Sequence, residues 1–372
     1  MERPRSRFAI AFGVPQCARR QIMLLVKTAA MPTPDSPPTM ENCHQRPLFD
    51  RRNWALAISA VCCGAVSVCN WTQPDWLAAV TLVPAWCWLV PGLALTVYGM
   101  NRTHKLRCIS VAILWVGYAG LFVEEIHSLV RTGSRPTAEW QVARERGRAI
   151  RVVSLNCYVA NPRSAAEVAQ FEPDIVLLQE SPSREHLQHL AREVFGDGGS
   201  FLWGGDTSIL ANGRIQPGTV DPSSHFVHAT VELPGGVELD VISVRLHPPV
   251  FRLDFWDSGF WIDHRNNRVK HRDQILDVMQ VVAGIPQSAH LIVGGDFNAP
   301  PLDAALSPLR QRLFDTFTEA GRGWGNTGTN DYPLFRVDQI WATRSATAET
   351  VTAQKTIHSD HRMVVCDLVL TE

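Results

Sequence analysis

The chain has 372 residues, of which 45% are hydrophobic and 19% charged, and its formal net charge is −1. This length suits one large domain or two domains of ordinary size. The charge is divided unevenly, because residues 1–148 hold 17 Lys and Arg against 9 Asp and Glu, whereas residues 149–372 hold 18 against 27. The second half, at −9, lacks the positive charge that is typical of proteins gripping duplex DNA by its phosphates.

The first 50 residues contain no apolar run as long as those that occur after residue 50. Pro15 and the Arg19-Arg20 pair interrupt the apolar stretch near the start, and "MPTPDSPPTMENCHQRP" is rich in proline. A segment of this composition buries too little apolar surface to fold. Residues 1–50 are therefore predicted to be a disordered N-terminal extension.

Residues 51–130 are predicted to form a membrane domain. Three apolar stretches, at about 54–71, 76–98 and 106–126, approach or exceed the roughly 20 residues that cross a bilayer core. Trp and Tyr side chains near their ends favour the level of the lipid headgroups. Buried helices of a soluble domain are the alternative, but three such stretches separated by short loops are hard to bury in so short a segment.

The basic residues of the short loops predict the orientation of these spans. They precede the first span and fill the second loop, at Arg46, Arg51, Arg52, Arg102, Lys105 and Arg107. The positive-inside rule then places the N-terminus and the second loop in the cytoplasm. Arg131 and Arg135 argue the other way. The sequence predicts a multi-pass protein of the inner cell membrane whose second half is extracytoplasmic.

After a polar linker at 131–149, residues 150–372 read as one layered α/β or α+β domain. Short β-branched runs such as 150–159 and 174–181 predict strands, whereas 183–195 and 269–285 have apolar residues at helical spacing. Strands that are covered by helices on one face and stacked as two sheets make a sandwich of this class.

Polar side chains recur where the predicted strands end. These residues are Asn156, Glu180, His247, Asp296, Asn298, Asp338, Asp360 and His361. A single Asp after a strand is usually a turn or cap residue, but so many polar groups in equivalent places are expected to converge. Sheets gather ligands at the ends of their strands, so one rim of the domain is predicted to hold a site.

Five motifs in order carry a resemblance to a known family. They are "SLN", "PDIVLLQES", "GGDFNAPP", "VDQIW" and "SDHR", spread over about 220 residues from 150 to the end. The sequence resembles the endonuclease/exonuclease/phosphatase superfamily of metal-dependent phosphoesterases, which includes DNase I, abasic-site endonucleases, inositol-polyphosphate phosphatases and neutral sphingomyelinases. The resemblance implies a four-layer sandwich, with two packed mixed β-sheets flanked by helices, here preceded by three transmembrane helices.

The resemblance also implies a metal site that contains Glu180. Asn156 and Asp360 would complete or flank it, directly or through water. Oxygen ligands of this kind suit Mg²⁺ or Mn²⁺, which are hard cations that keep several waters. Histidines can also indicate zinc, but no H-x-x-x-H spacing occurs and the carboxylate and amide set favours Mg²⁺ or Mn²⁺.

The catalytic roles that the resemblance implies fall on four further residues. Asp296 would orient or deprotonate the attacking water, and Asn298 would hold that water or a phosphate oxygen. His361 would face the phosphate as a cation, with Asp338 accepting its ring N–H. This carboxylate–histidine pairing fixes the tautomer and raises the histidine pKa.

A phosphate-contacting slot and an insertion remain open in the sequence. Many family members place a basic or aromatic residue at the end of the strand before "GDFN", and here Arg245 or His247 can fill that slot. His247 is the prediction, since two prolines follow it; the alternative is a loop histidine without a role. The insertion at 255–272 is either an aromatic and basic rim for substrate or the solvated face of a helix bearing Arg268, Lys270 and Arg272.

The predicted activity is hydrolysis of a phosphoester by metal-assisted attack of an activated water. The acidic second half and the membrane attachment favour a lipid-linked or small-molecule substrate. An extracytoplasmic nuclease is the alternative enzyme. A non-catalytic membrane-anchored binding module is the alternative of another class, but such a module should have lost Glu180, Asp296 or His361. The bilayer is the expected partner, and no obligate protein partner is indicated.

Overall fold

The protein is described by a computed structural model that covers residues 51–133 and 137–371. The predicted extension at 1–50 lies outside these described residues. The helices are α1 (Arg51–Thr72), α2 (Ala78–Leu82), α3 (Ala85–Tyr98), α4 (Lys105–Phe122), α5 (Glu124–Val130), α6 (Ala138–Glu145), α7 (Pro162–Ala166), α8 (Arg184–Phe195), α9 (Ser258–Gly284) and α10 (Thr316–Ala320).

Two mixed β-sheets of six strands each form the centre of the fold. The strands are β1 (Ala149–Asn156), β2 (Ile175–Gln179), β3 (Gly199–Trp203), β4 (Thr207–Asn212), β5 (Arg214–Val220), β6 (Phe226–Glu232), β7 (Glu238–Arg245), β8 (Leu291–Asp296), β9 (Leu313–Asp315), β10 (Asp338–Thr343), β11 (Ala346–Gln354) and β12 (Met363–Leu370). The first sheet has the order β11-β12-β1-β2-β4-β3, and the second has the order β5-β6-β7-β8-β10-β9. Each contains one parallel pair, β1–β2 or β7–β8.

The alternation of side chains along the strands produces the predicted four layers. In β1, Val152 faces the second sheet and joins the core between the sheets, whereas Val153 faces outward against α7 and α8. On the other side, Ile242 of β7 points outward and packs on Ile275 and Val278 of α9. The order helix, sheet, sheet, helix confirms the predicted sandwich, which is consistent with the DNase I-like fold.

Three apolar segments precede the sandwich, as predicted, but the second is bent. The helices α1 and α4 are long and apolar enough to cross a membrane, and the pair Asp75–Leu82 and Ala85–Tyr98, bent by 76°, is a third candidate span. The helix break falls at Pro84, which cannot donate a backbone hydrogen bond. The third segment ends earlier than predicted, since α4 stops at Phe122 and a separate helix follows.

The apolar helices pack closely through small residues. A side chain at Gly92 of α3 would stand 2.0 Å from the ring of Trp115 of α4, so only glycine permits this approach. The Trp115 indole N–H donates to the Ser59 hydroxyl of α1 at 2.9 Å, and that hydroxyl donates to the Gly92 carbonyl at 2.8 Å. The three helices are thereby joined at mid-length by hydrogen bonds that replace those of water.

The stretch predicted as a linker, residues 131–149, contains the helix α6. The Thr137 hydroxyl caps its first turn by accepting the Trp140 backbone N–H. Trp140 is buried beside β1, and Arg144 forms an ion pair with Asp174 next to β2. The apolar face of α6 therefore packs against the sandwich beside β1, and most of its polar residues face solvent.

Candidate active site

Three neighbouring strands of the second sheet place charged side chains at one rim. Asp296 ends β8, and Asp338, which begins β10, lies directly opposite it in the antiparallel register. On the other side Arg245, which ends β7, is the parallel partner of Asp296. Opposite residues of adjacent strands lie about 5 Å apart, so backbone pairing alone brings these three groups together.

Two glycines before Asp296 let the strands and sheets approach closely. Gly295 has φ +144°, and a side chain there would stand 1.9 Å from the Val244 carbonyl oxygen of β7. A side chain on Gly294 would stand 2.7 Å from Leu177 of the first sheet. The "GGD" sequence is thus a packing requirement that fixes where the Asp296 carboxylate lies.

Asp296, Asp338 and His361 form the centre of the site. The Asp338 Oδ2 and the His361 Nδ1 are 2.8 Å apart, and the carboxylates and ring of the three residues offer ligand atoms within 4.8 Å of one another. Both carboxylates are buried, whereas the imidazole is partly exposed. The predicted Asp338–His361 pair is therefore present, with the ring oriented by the carboxylate.

The electrostatic surroundings shift the pKa values of this centre in useful directions. Burial opposes the charged imidazole, but the Asp338 carboxylate outweighs it and the pKa of His361 rises to about 10. Burial and the charge of Asp338 raise the pKa of Asp296 to about 6. At neutral pH the ring is a cation and Asp296 is ionised, with a pKa close to the range that suits a general base.

Asn156 connects this centre to Glu180 across the two sheets. Its side-chain N–H group donates to Asp296 Oδ2 at 3.1 Å and to Glu180 Oε1 at 3.4 Å. Below the rim, the Gln179 side chain of the first sheet donates to the Ser243 hydroxyl of the second at 3.2 Å. Residues separated by about 200 positions thus meet in one place, as the sequence predicts.

Glu180 has a strained backbone conformation, and besides Asn156 two further donors hold its carboxylate. Its φ is +46°, and Arg245 donates to its Oε1 at 2.7 Å while the Val159 backbone N–H donates to Oε2. Val159 also has a positive φ, +53°, which is costly for a β-branched residue. Such strain concentrates at functional sites, where surrounding contacts hold it in place.

The donor set fits a divalent cation that prefers oxygen. Glu180 presents a carboxylate at the rim, the Asn156 amide lies beside it with its oxygen accepting the Tyr158 backbone N–H at 3.0 Å, and the buried Asp338 Oδ1 has no hydrogen-bond partner among the described residues. Oxygen groups of this kind are typical ligands of Mg²⁺ and Mn²⁺. The His361 Nδ1 is engaged by Asp338, which leaves Nε2 as the ring nitrogen that can face a ligand.

Asn298 is fixed beside Asp296 by its backbone and its side chain. It has φ +49°, its backbone N–H donates to Asp296 Oδ1 at 3.0 Å, and its side-chain N–H donates to the Leu246 carbonyl at 2.9 Å. Asparagine adopts this left-handed conformation more readily than most residues. The residue thus locks the Asp296 carboxylate; its predicted contact with water or phosphate stays a prediction.

His247 and Asp360 lie at the margin of the site, without a described hydrogen bond to its central side chains. Both ring nitrogens of His247 are 3.2 Å from Lys270 Nζ, and burial followed by that positive charge lowers the pKa of His247. Asp360 is an exposed residue, but its carboxyl group is partly shielded from water by the surrounding protein, and this raises its pKa. The charges of Glu180 and Asp338 add to this effect. Their predicted roles stay predictions.

Arg245 and two hydroxyl residues form hydrogen bonds in the site that the sequence does not predict. Arg245, the alternative to His247, also donates to Asp206 at 2.6 Å. The Ser359 hydroxyl donates to the Asn156 carbonyl at 2.7 Å and accepts the His361 N–H at 3.0 Å. The Thr327 hydroxyl accepts the Asp338 N–H at 3.0 Å. Spacing alone gives no signal for such contacts, because they join distant loops.

The insertion at 255–272 is neither of the two alternatives in full. Its larger part is the first half of α9, as the helix interpretation predicts. Arg268 is not solvated, however: it is 2% exposed and bonded to Asp303 and to the Gln73 and Pro74 carbonyls. Arg272 pairs with Asp75 at 2.6 Å. These arginines join the sandwich to the loop between the first two apolar segments.

Comparison with known proteins identifies the family. The sequence profile of the Endonuclease/Exonuclease/phosphatase family matches residues 153–361, which include the Asp296–Asp338–His361 centre. The chain belongs to the endonuclease/exonuclease/phosphatase family. Members of this family are metal-dependent phosphoesterases, and the arrangement of the site agrees with that chemistry. A search of curated proteins gave no match.

Several solved structures are similar to this member of the family. An endonuclease/exonuclease/phosphatase from Beutenbergia cavernae is 20% identical, with a TM-score of 0.44, over 60% of this chain and 72% of that chain. A family protein from Bacteroides thetaiotaomicron is 14% identical, with a TM-score of 0.45, over 64% of this chain and 100% of that chain. D. rerio TDP2, complexed with a single-strand DNA product, is 17% identical, with a TM-score of 0.44, over 59% of this chain and 98% of that chain.

Proposed function

We propose that the protein is a membrane-anchored phosphoesterase that hydrolyses phosphodiester or phosphomonoester bonds with Mg²⁺ or Mn²⁺. The observation that carries this proposal is the buried Asp296 carboxylate beside the Asp338–His361 pair, with Glu180 on the same rim. Metal-dependent ester hydrolysis needs a base for water, positive charge for the phosphoryl oxygens and a cation site, and these residues offer all three.

Each residue has a chemical task in this proposal. Asp296 accepts a proton from the attacking water, and the imidazolium of His361 stabilises negative charge on the phosphoryl group. Asp338 holds that ring in place through Nδ1. Glu180 and Asn156 hold the cation, which when bound supplies Lewis-acid stabilisation worth several kcal/mol. Arg245 adds a second fixed positive charge, which is suited to a phosphate oxygen.

The arrangement of the apolar helices supports the proposed orientation. The Asn70 side chain donates to the Tyr118 hydroxyl at 3.3 Å, and that hydroxyl donates to the Ala85 carbonyl at 3.2 Å, so these residues mark one end of the bundle. The sandwich is bonded to this end through Arg272 and Asp75. At the other end Arg107 bonds to Asn53 at 2.6 Å, near the basic start of α1.

Of the basic residues that the positive-inside rule uses, Arg51, Arg52, Lys105 and Arg107 lie at the starts of α1 and α4, which is the end of the bundle away from the sandwich. By that rule this end is cytoplasmic, and the catalytic domain is extracytoplasmic. A multi-pass location in the inner membrane brings lipid headgroups near the site. Together with the acidic charge of the domain, this favours a lipid-linked or small phosphoester over nucleic acid.

A substrate panel tests the proposal on the full chain in detergent. Phosphodiesters and phosphomonoesters of lipids, sugars and inositols, and plasmid and single-stranded DNA, are assayed with Mg²⁺, with Mn²⁺ and with EDTA. We expect EDTA-sensitive hydrolysis of a lipid or small phosphoester, lost by at least about 10²-fold in Asp296→Ala and His361→Ala but kept in the exposed-residue control Asp197→Ala. Hydrolysis of DNA alone would support the alternative nuclease function. Absence of hydrolysis of every substrate would contradict the proposal and support the non-catalytic binding module.

A further inference from the structure

The first two residues of α5, which directly follow the last apolar helix, contact two loops that position Asp338. We propose that Glu124 and Glu125 are positioning residues, so that the membrane-proximal segment is a working part of the catalytic centre. This inference rests on the proposed phosphoesterase function. If the apolar helices were only an anchor, the residues after the last of them would merely connect it to the catalytic domain.

Glu124 holds the residues just before Asp338 through Arg336. The Arg336 Nε donates to Glu124 Oε2 at 2.8 Å, and its terminal nitrogen donates to Oε1 at 2.9 Å, which is a bidentate pair. On its other side the same guanidinium binds both carboxylate oxygens of Asp315. Arg336 is 5% exposed, so it cannot exchange these partners for water. The backbone two residues before Asp338 is thereby fixed between α5 and β9.

Glu125 holds the second segment, through Asn326. The Asn326 side-chain N–H donates to Glu125 Oε1 at 3.1 Å. The next residue, Thr327, accepts the backbone N–H of Asp338 at 3.0 Å through its hydroxyl. Its carbonyl accepts the backbone N–H of Arg362, the neighbour of His361, at 3.0 Å. One residue of this loop therefore bonds to Asp338 and to the residue that follows His361.

Both contacts lead to the chain around Asp338, since Arg336 lies two residues before it and Thr327 bonds to its backbone N–H. The carbonyl of Arg336 accepts from the Gln339 side chain at 3.3 Å, and the same Gln339 nitrogen donates to the Ala299 carbonyl, beside Asn298, at 2.7 Å. The loops that carry Asp338 and Asn298 are therefore joined to each other as well as to α5. A displacement of about 1 Å at a catalytic group can lower a rate by about 10²-fold, so contacts of this kind matter for turnover.

Matched substitutions at Glu125 test the inference in the full chain. Glu125→Gln keeps an oxygen that accepts the Asn326 N–H, whereas Glu125→Ala removes it. We expect Glu125→Ala to lower kcat by about 10-fold or more with little change in the substrate KM, and Glu125→Gln to keep most of the activity. The control is Glu145→Ala, an exposed acidic residue of α6. Thermal unfolding of each variant shows whether it is folded at the assay temperature.

The outcomes separate this inference from the proposed function. Wild-type kcat in Glu125→Ala, or equal losses in the Ala and Gln variants, would overturn the inference while hydrolysis by the wild type upholds the function. If the wild type hydrolyses no substrate, the proposed function fails, and the low-field NMR signal of the His361 Nδ1–H, observed with labelled histidine, still decides the geometry. We expect that signal to be kept in Glu125→Gln and weakened or shifted in Glu125→Ala; an identical signal in both variants would overturn the inference.

Discussion

Replacing Asp338 by Asn should move the alkaline limit of activity to lower pH. The His361 cation depends on the Asp338 charge, because burial disfavours that cation and Asp338 is the strongest opposing group. With a pKa of about 10, about 99% of His361 is protonated at pH 8. In Asp338→Asn an acceptor for Nδ1 is kept but the largest group that raises the pKa of His361 is lost, so that pKa falls although Asp296 and Asp360 still raise it; at the ordinary value of about 6.5, roughly 3% of the ring is protonated at pH 8.

The expected loss follows from these two fractions. For a pKa of about 6.5 in the variant, the lost protonation of His361 alone lowers kcat/KM by about 30-fold at pH 8 but by less than about 2-fold at pH 6. The assay is kcat/KM for a chromogenic phosphodiester with saturating Mg²⁺ between pH 6 and 9.5. Asp197→Asn, which changes an exposed carboxylate, controls for charge. An alkaline limb that is the same in Asp338→Asn and wild type would refute the role of Asp338 in keeping the ring charged.

Three further predictions concern stability, positioning and the substrate phosphate. Burial and the charge of Asp338 raise the pKa of Asp296 to about 6, so its ionisation lowers stability progressively between the ordinary pKa of about 4 and pH 6, and by the full amount above pH 6; Asp296→Asn should therefore raise the Tm at pH 8 by a few degrees, an advantage that largely vanishes at pH 4. Thr327→Val removes the acceptor of the Asp338 N–H and should lower kcat, whereas Thr327→Ser should keep it, as steady-state kinetics can show. Arg245→Gln should raise the substrate KM. In a metal titration of activity, it should weaken the dependence on Mg²⁺ less than Glu180→Gln does.

The groups that the sequence correctly brings together are those carried by strands. Asp296 and Asp338 face each other because β8 and β10 are adjacent, and strand ends can be recognised from β-branched runs that stop at Gly, Asn or Asp. The short edge strands β3 and β5 and the helix α6 were not predicted. Their sequences are polar on one face and lack long periodic patterns, so their pairing is decided by the sheet and the core beside them.

The choice between Arg245 and His247 shows a second limit of sequence reasoning. The two residues are two positions apart, and the prolines after His247 indicate the end of a strand there. In the structure β7 ends earlier, at Arg245, which is therefore the residue opposite Asp296 and within reach of Glu180. Strand ends predicted from sequence are uncertain by a few residues, and at a rim site that uncertainty decides which side chain is present.

The arginines between the apolar helices and the sandwich show that a charged residue in the sequence is not always exposed to solvent. Arg268 lies in a stretch that one interpretation takes as solvated, and Arg336 lies just before β10, yet both are buried and each binds an acidic residue of the sandwich together with groups of residues 51–130. A buried guanidinium left without its partners is strongly destabilising. Removing residues 51–130 would take away the Gln73 and Pro74 contacts of Arg268 and the Glu124 contact of Arg336, while Asp303 and Asp315 of the sandwich would remain. Residues 51–130 therefore contribute contacts that support the loops of the candidate catalytic rim.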